Sequence, residues 1–218
     1  MKKITLLMSL LVFSVVFSQE NLQDFSECGS VFSPFGGATA ELVPDPVTDG
    51  TRGQVAKLTS AGDAIWQGVN VVLGKNLDLT TTKTITIDAY SLSPVVFAPK
   101  AQGGISGAPN SVSSATHTGS GWETITVTFD EELDSTTTAN GVYSTFAIHY
   151  LWDATTNNFI TPAVNRVIYV DNIVGVGVAV APTAAAPNPI ARNAGDVISL
   201  YSDAYTSTAI SNFAKNVL

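Results

Sequence analysis

Glu131, Glu132 and Asp134 crowd together past the middle of the chain, and paired carboxylates are what acid–base hydrolysis of a glycosidic bond requires. Glu132 and Asp134 stand two apart, so on a strand they would share a face. The position that would complete an E-x-D-x-x-E set, however, is Thr137. The cluster reads more simply as a solvated loop after a strand. His117 and His149, the two histidines, lie near no nucleophile elbow or phosphate-cradling glycine loop, and both read as structural. Cys28 is the one cysteine, so no internal disulfide can form, and Cys/His pairs at zinc-ligand spacing are absent from the sequence. Aromatic residues are better supplied. Trp66, Trp122, Tyr143, Tyr150 and Trp152 offer faces on which the C–H side of a pyranose ring stacks, while amides such as Asn157 and Asn158 take hydroxyls. Trp66 and Trp152 adjoin expected loops and are the expected platform, with Tyr150 and Asn157 beside them. Trp122 opens an alternating strand and is expected to cap the core.

The elements that would position these residues are strands. Ile85, Ile87 and Ala89 alternate with polar neighbours, as do Ile125, Val127 and Phe129. Residues 146–152 alternate an aromatic face with a mixed one, and 167–173 are β-branched and aromatic. Period-two alternation of such residues marks half-buried antiparallel strands. Weaker strands are expected near 22–26, 39–43, 54–58, 67–73, 95–100 and 111–118. Glycine-rich turns separate them, at Gly36-Gly37, Gly50, Gly103-Gly104, Gly119 to Gly121 and Gly141. Alternating faces need a second sheet to cover them, so the expected class is all-β, a jelly-roll β-sandwich closed by the strand at 167–175.

Lys2 and Lys3 precede an apolar run from Ile4 to Phe17, and Val16 and Ser18 suit cleavage before Gln19. Residues 1–18 therefore read as a signal peptide, too short for a membrane span. Phe25-Ser26-Glu27 before Cys28 is too polar and bulky for a lipobox. Loss of the two leader lysines takes the formal charge from -8 to -10. An acidic surface argues against nucleic acid and anionic membranes as partners. Residues 19–178 form the expected domain. Residues 179–195, with Pro182, Pro187 and Pro189, read as an extended linker. Residues 196–218 read as the start of a second β domain, since so short a piece cannot fold alone.

Several segments, in order, resemble the jelly-roll carbohydrate-binding modules of secreted polysaccharide-degrading proteins of marine Bacteroidetes. These are Phe32 through Ala38, Trp66-Gln67-Gly68, residues 76–91, residues 121–129 and residues 167–173. The stretch 186–206 is similar to the junction at which such proteins open a next module, and relatives often include a family 16 glycoside hydrolase. The resemblance implies a galactose-binding-like fold and a non-catalytic module that holds a polysaccharide. It also implies one structural Ca2+ between the first and last strands, with Asp171 as ligand and Glu27 or Asp24 as its partner. Ser26 and Asn172 depart from the family pattern at that site.

The expectation is thus a secreted module, extracellular, periplasmic or at the cell surface. It would bind a polysaccharide such as a neutral β-glucan as the N-terminal part of a larger glycan-degrading protein. The alternative is a structural or adhesion spacer that binds no glycan.

Overall fold

The computed structural model describes residues 18–26, 31–61 and 64–180. The leader peptide through residue 17, Glu27, Cys28, the linker from residue 181 and the C-terminal tail lie outside the described residues. The strands, in chain order, are β1 (Glu20–Gln23), β2 (Phe32–Phe35), β3 (Thr39–Pro44), β4 (Gln54–Ala61), β5 (Gly68–Val71), β6 (Asn76–Asp78), β7 (Thr84–Ser91) and β8 (Val95–Gly104). They continue as β9 (Ser111–Val112), β10 (Ala115–His117), β11 (Gly121–Thr128), β12 (Val142–His149), β13 (Trp152–Asp153), β14 (Asn158–Phe159), β15 (Asn165–Gly175) and β16 (Gly177–Val178).

Two sheets form the sandwich. One runs β11-β7-β15-β4-β3 with β1 also on β15; the other runs β10-β8-β12-β5-β2, with β6, β9 and β16 attached at its margins. All pairings are antiparallel, and the closing strand β15 is central in its sheet. Alternation then sorts the side chains. Ile85, Ile87, Ala89, Ile125, Val127, Ile168 and Val170 point inward from the first sheet and are buried. Val69, Val71, Phe97, Ala101, Phe146 and Ile148 meet them from the second. A bulge at Asn172, whose φ is 42°, lets Asp171 and Asn172 share one outward place, so that Ile173 returns to the core. The fold is the all-β jelly-roll sandwich that the alternation predicts.

Two local expectations differ. Residues 146–152 are not one strand: β12 ends at His149 and the chain turns into the β13–β14 hairpin. Period two fixes which way a residue faces but not where pairing stops. The stretch at 111–118 is likewise split into β9 and β10, both against β8.

Candidate functional site

The outward face of the second sheet carries two rows of side chains read directly from register. One row is Phe35–Gly68–His149–Ala98; the next is Ser33–Asn70–Ala147–Lys100. Gly68 is required in the first row, because a Cβ there would stand 2.8 Å from the Phe35 ring and 3.1 Å from His149 Nδ1. Its bareness lets the Phe35 and His149 rings meet edge to face at 5.3 Å.

Two further segments raise walls on this floor. The β13–β14 hairpin lies on β8, with Trp152 packed into a small second core with Ala98 and Val112, against Val96, Leu133 and Phe159. Phe159 sits edge to face with Trp152 at 5.1 Å and leans on His149 at 5.2 Å. Opposite, the turn before β5 sets Trp66 almost parallel to Phe35, at 6.2 Å and 12°. Gln67, fully buried, braces that turn: its Oε1 accepts from Ala61 N at 2.8 Å and its Nε2 donates to Ala64 O at 2.8 Å. Gly36, at φ +66°, leaves room for the same turn, since a Cβ there would approach the Gln67 Cα to 2.8 Å.

The result is an open groove of about 580 Å3 lined by Phe35, Trp66, Asn70, Lys100, His149 and Phe159, with Gln102 and Asp134 at its polar side. That volume falls in the range of small-molecule sites. Trp66 is 53% exposed and so leaves much of its indole open to solvent. Lys100 and Asp134 form an ion pair at 3.4 Å. The acidic cluster is the solvated loop expected after a strand, with Glu131, Glu132 and Asp134 all exposed between β11 and β12, Asp134 reaching Lys100 from it and Glu131 accepting from the Ser113 and Ser114 hydroxyls. Burial pushes the His149 imidazole below its ordinary value, and its Nδ1 has no partner. A neutral ring, two amides, one compensated ion pair and exposed aromatic faces suit an uncharged hydroxylated ligand.

Of the expected sugar-contacting residues, Trp66 lies in this groove. Tyr150 and Trp152 do not, and this is a correction. Tyr150 shares the parity of Phe146 and Ile148 and is fully buried in the main core, where burial pushes its hydroxyl pKa up. Trp152 is 2% exposed because the hairpin folds its indole onto Ala98. Asn157 is exposed at the hairpin turn with φ 50°, so it serves the turn and lies outside the groove lining. Trp122 is corrected too. It lies on the outward face of the first sheet, half-buried, with Arg52 4.2 Å above its ring and its Nε1 donating to Asp45 at 3.0 Å. His117 is buried and structural, its Nε2 donating to the carbonyls of Ala89 and Gly121 at 3.1 and 2.9 Å. Phe35, Asn70, Lys100, Gln102 and Phe159 were not singled out from sequence, since their roles come from register between distant strands.

The described members of the suggested calcium set fit a cation poorly. Asp171 is 3.1 Å from Arg52, which also holds Asp88 at 2.6 Å, so a guanidinium already offsets both carboxylates. Asp24 accepts from the Ser26 hydroxyl at 2.6 Å. Among the described residues no group of three or more His, Cys, Asp or Glu side chains could hold a metal ion. Glu27 is outside the described residues.

No family profile and no curated protein matches the chain. Among solved structures, the solution structure of CtCBM11 is similar at TM-score 0.50 and 19% identity, over 76% of this chain and 98% of that one. The family 11 carbohydrate-binding module of the cellulosomal cellulase Lic26A-Cel5E of Clostridium thermocellum gives TM-score 0.46 and 18% identity, over 76% and 98%. An exo-beta-agarase gives TM-score 0.49 and 13% identity, over 72% of this chain and 25% of that one. The fold is thus a jelly-roll β-sandwich like that of CtCBM11.

Proposed function

We propose that this chain is a secreted, non-catalytic carbohydrate-binding module that holds a neutral polysaccharide, such as a β-glucan, in the Trp66 groove. The observation that carries the reading is the pairing of an exposed, Phe35-backed indole with an amide-bearing floor in one groove. The shared jelly-roll fold supports it. Trp66 and Phe159 supply stacking faces, and Asn70, Gln102, Lys100 and Asp134 supply hydroxyl partners. Stacking of a few rings gives weak binding, about micromolar to millimolar. The acidic chain repels sulfated and uronic polymers, so binding changes little with salt. In the same proposal the module is exported through its leader and stands at the N-terminal side of a larger glycan-degrading protein. Affinity electrophoresis through gels containing neutral β-glucans tests the binding claim. Retardation of the wild type, lost in Trp66→Ala, is expected. Free migration of the wild type through the whole panel favours a spacer domain without glycan binding.

A further inference from the structure

Asn70 on β5 and Gln102 on β8 flank β12, on strands about 10 Å apart across the sheet. Their side chains nevertheless meet: Gln102 Nε2 donates to Asn70 Oδ1 at 3.0 Å. On β12 between them, Ala147 stands opposite Asn70 and Thr145 opposite Gln102, so the bridge crosses the strand diagonally; Ala147 lies on the outward row yet is fully buried. Alanine is a poor strand former, and its small size leaves space for the two amides to close over the strand.

The bridge uses one N–H of Gln102 and one lone pair of Asn70. Among the described residues neither the Asn70 NH2 nor the Gln102 carbonyl has another protein partner, and both residues line the groove beside Trp66. The Asn70 NH2 and the Gln102 carbonyl are therefore left as one donor group and one acceptor group on the same bridge. Exchanging O and N in both amides preserves the bridge and again leaves one of each, so the pattern does not depend on amide orientation. Two adjacent sugar hydroxyls complement it: one oxygen accepts the amide N–H while the neighbouring O–H donates to the carbonyl.

We propose that the Asn70–Gln102 bridge is the hydroxyl-reading element of the groove, selecting a sugar residue that keeps two adjacent free hydroxyls. The proposal rests on the glycan-binding reading above and adds what that reading does not specify, the chemistry required of the sugar. A ring whose linkage or substituent consumes one of the two oxygens leaves one amide group desolvated and unpaired, and is discriminated against.

Calorimetric titration tests it with two neutral glucan hexasaccharides, each methylated on the linkage-position oxygen of its non-reducing end ring and on the anomeric oxygen of its reducing end ring. In one, rings are joined through the fourth oxygen, so in-chain rings keep adjacent free hydroxyls at carbons two and three. In the other they are joined through the third oxygen, so in-chain rings keep none on adjacent carbons. Wild type is expected to bind the first about tenfold more tightly. Gln102→Met, with an unchanged unfolding midpoint, should narrow that preference to about twofold by weakening binding of the first sugar. Asn70→Ala, from the other end of the bridge, should do the same, so the outcome does not hang on one variant. Equal wild-type affinity for the two sugars, both lost in Trp66→Ala, overturns the bridge's role while leaving glycan binding standing. A full preference retained in both variants overturns it as well. No binding of either sugar, nor of any other glycan, overturns the proposal together with the reading beneath it.

Discussion

Trp66 and Trp152 differ in exposure by about half of the range open to an indole, 53% against 2%, and so should fail differently when truncated. Trp66→Ala is expected to change stability by less than about 0.5 kcal/mol while removing glycan retention. Trp152→Ala should cost about 3–5 kcal/mol in chemical denaturation, because the hairpin loses its anchor on Ala98 and Val112. Near-equal unfolding midpoints for the two variants would refute their assignments. His149 gives a pH signature. Burial lowers its native pKa, so the unfolded chain takes the proton more readily and stability falls as pH drops below the ordinary imidazole value of about 6.5. His149→Phe should remove that part of the acid-side loss, seen as a smaller drop in melting temperature between about pH 7 and 5.5. At this scale the exposure of Trp66 was legible because a tryptophan beside a turn and a glycine has little core to enter. Trp152 was not, because its burial depends on a hairpin that alternation does not reveal. Tyr150 could have been placed correctly, since it shares the parity of Phe146 and Ile148.

The outward face of the first sheet shows how elements hold one another. Asp88 on β7 stands directly opposite Asp171 on β15, a repulsive cross-strand pair by itself. Arg52, from the loop between β3 and β4, lies over Trp122 on β11 and reaches both carboxylates. Burial raises Asp88, but hydrogen bonds from Thr124, Asn172 and Arg52 outweigh it and hold the carboxyl below its ordinary range. At Asp171 burial wins and holds the carboxyl above it despite Arg52. Arg52→Met should therefore cost about 1–3 kcal/mol at neutral pH, by leaving two facing carboxylates without their cation. The cost should shrink as pH falls through the carboxylate range, for two reasons. Protonation relieves the repulsion in the variant, and the wild type loses the stability that its depressed Asp88 contributes only above its unfolded pKa. Denaturant melts of both proteins across that range measure it; a penalty that grows in acid would contradict the arrangement. Strands β7 and β11 were plain in the sequence, each with a strict apolar face. The guanidinium bridge was not, since a loop arginine gives no local sign of the two strands it will join.

Taken whole, the chain is acidic, with a formal charge of -8, while its candidate groove carries one compensated ion pair and uncharged polar groups. Affinity should therefore come from contact and not from field. The leader pattern of Lys2, Lys3 and the apolar run predicts a mature exported chain that begins at or beside Gln19. Intact-mass measurement of exported protein checks this, and a retained Met1 would contradict it. Sheet class and closing strand were legible because alternation is a local property. The groove was only partly so, because Phe35, Asn70, Lys100 and Phe159 become neighbours through pairing across four strands and a hairpin. The three tryptophans offer one direct test of the central claim, since each occupies a different environment: Trp66 in the groove, Trp122 under Arg52, and Trp152 in the second core. Titration of a neutral β-glucan oligosaccharide into 15N-labelled protein, followed through the indole and side-chain amide resonances, is the most direct measurement. The Trp66 indole and the Asn70 and Gln102 amides should shift progressively, with the Trp122 indole unmoved. Shifts confined to Trp122, or none with any glycan, would contradict the assignment of the groove.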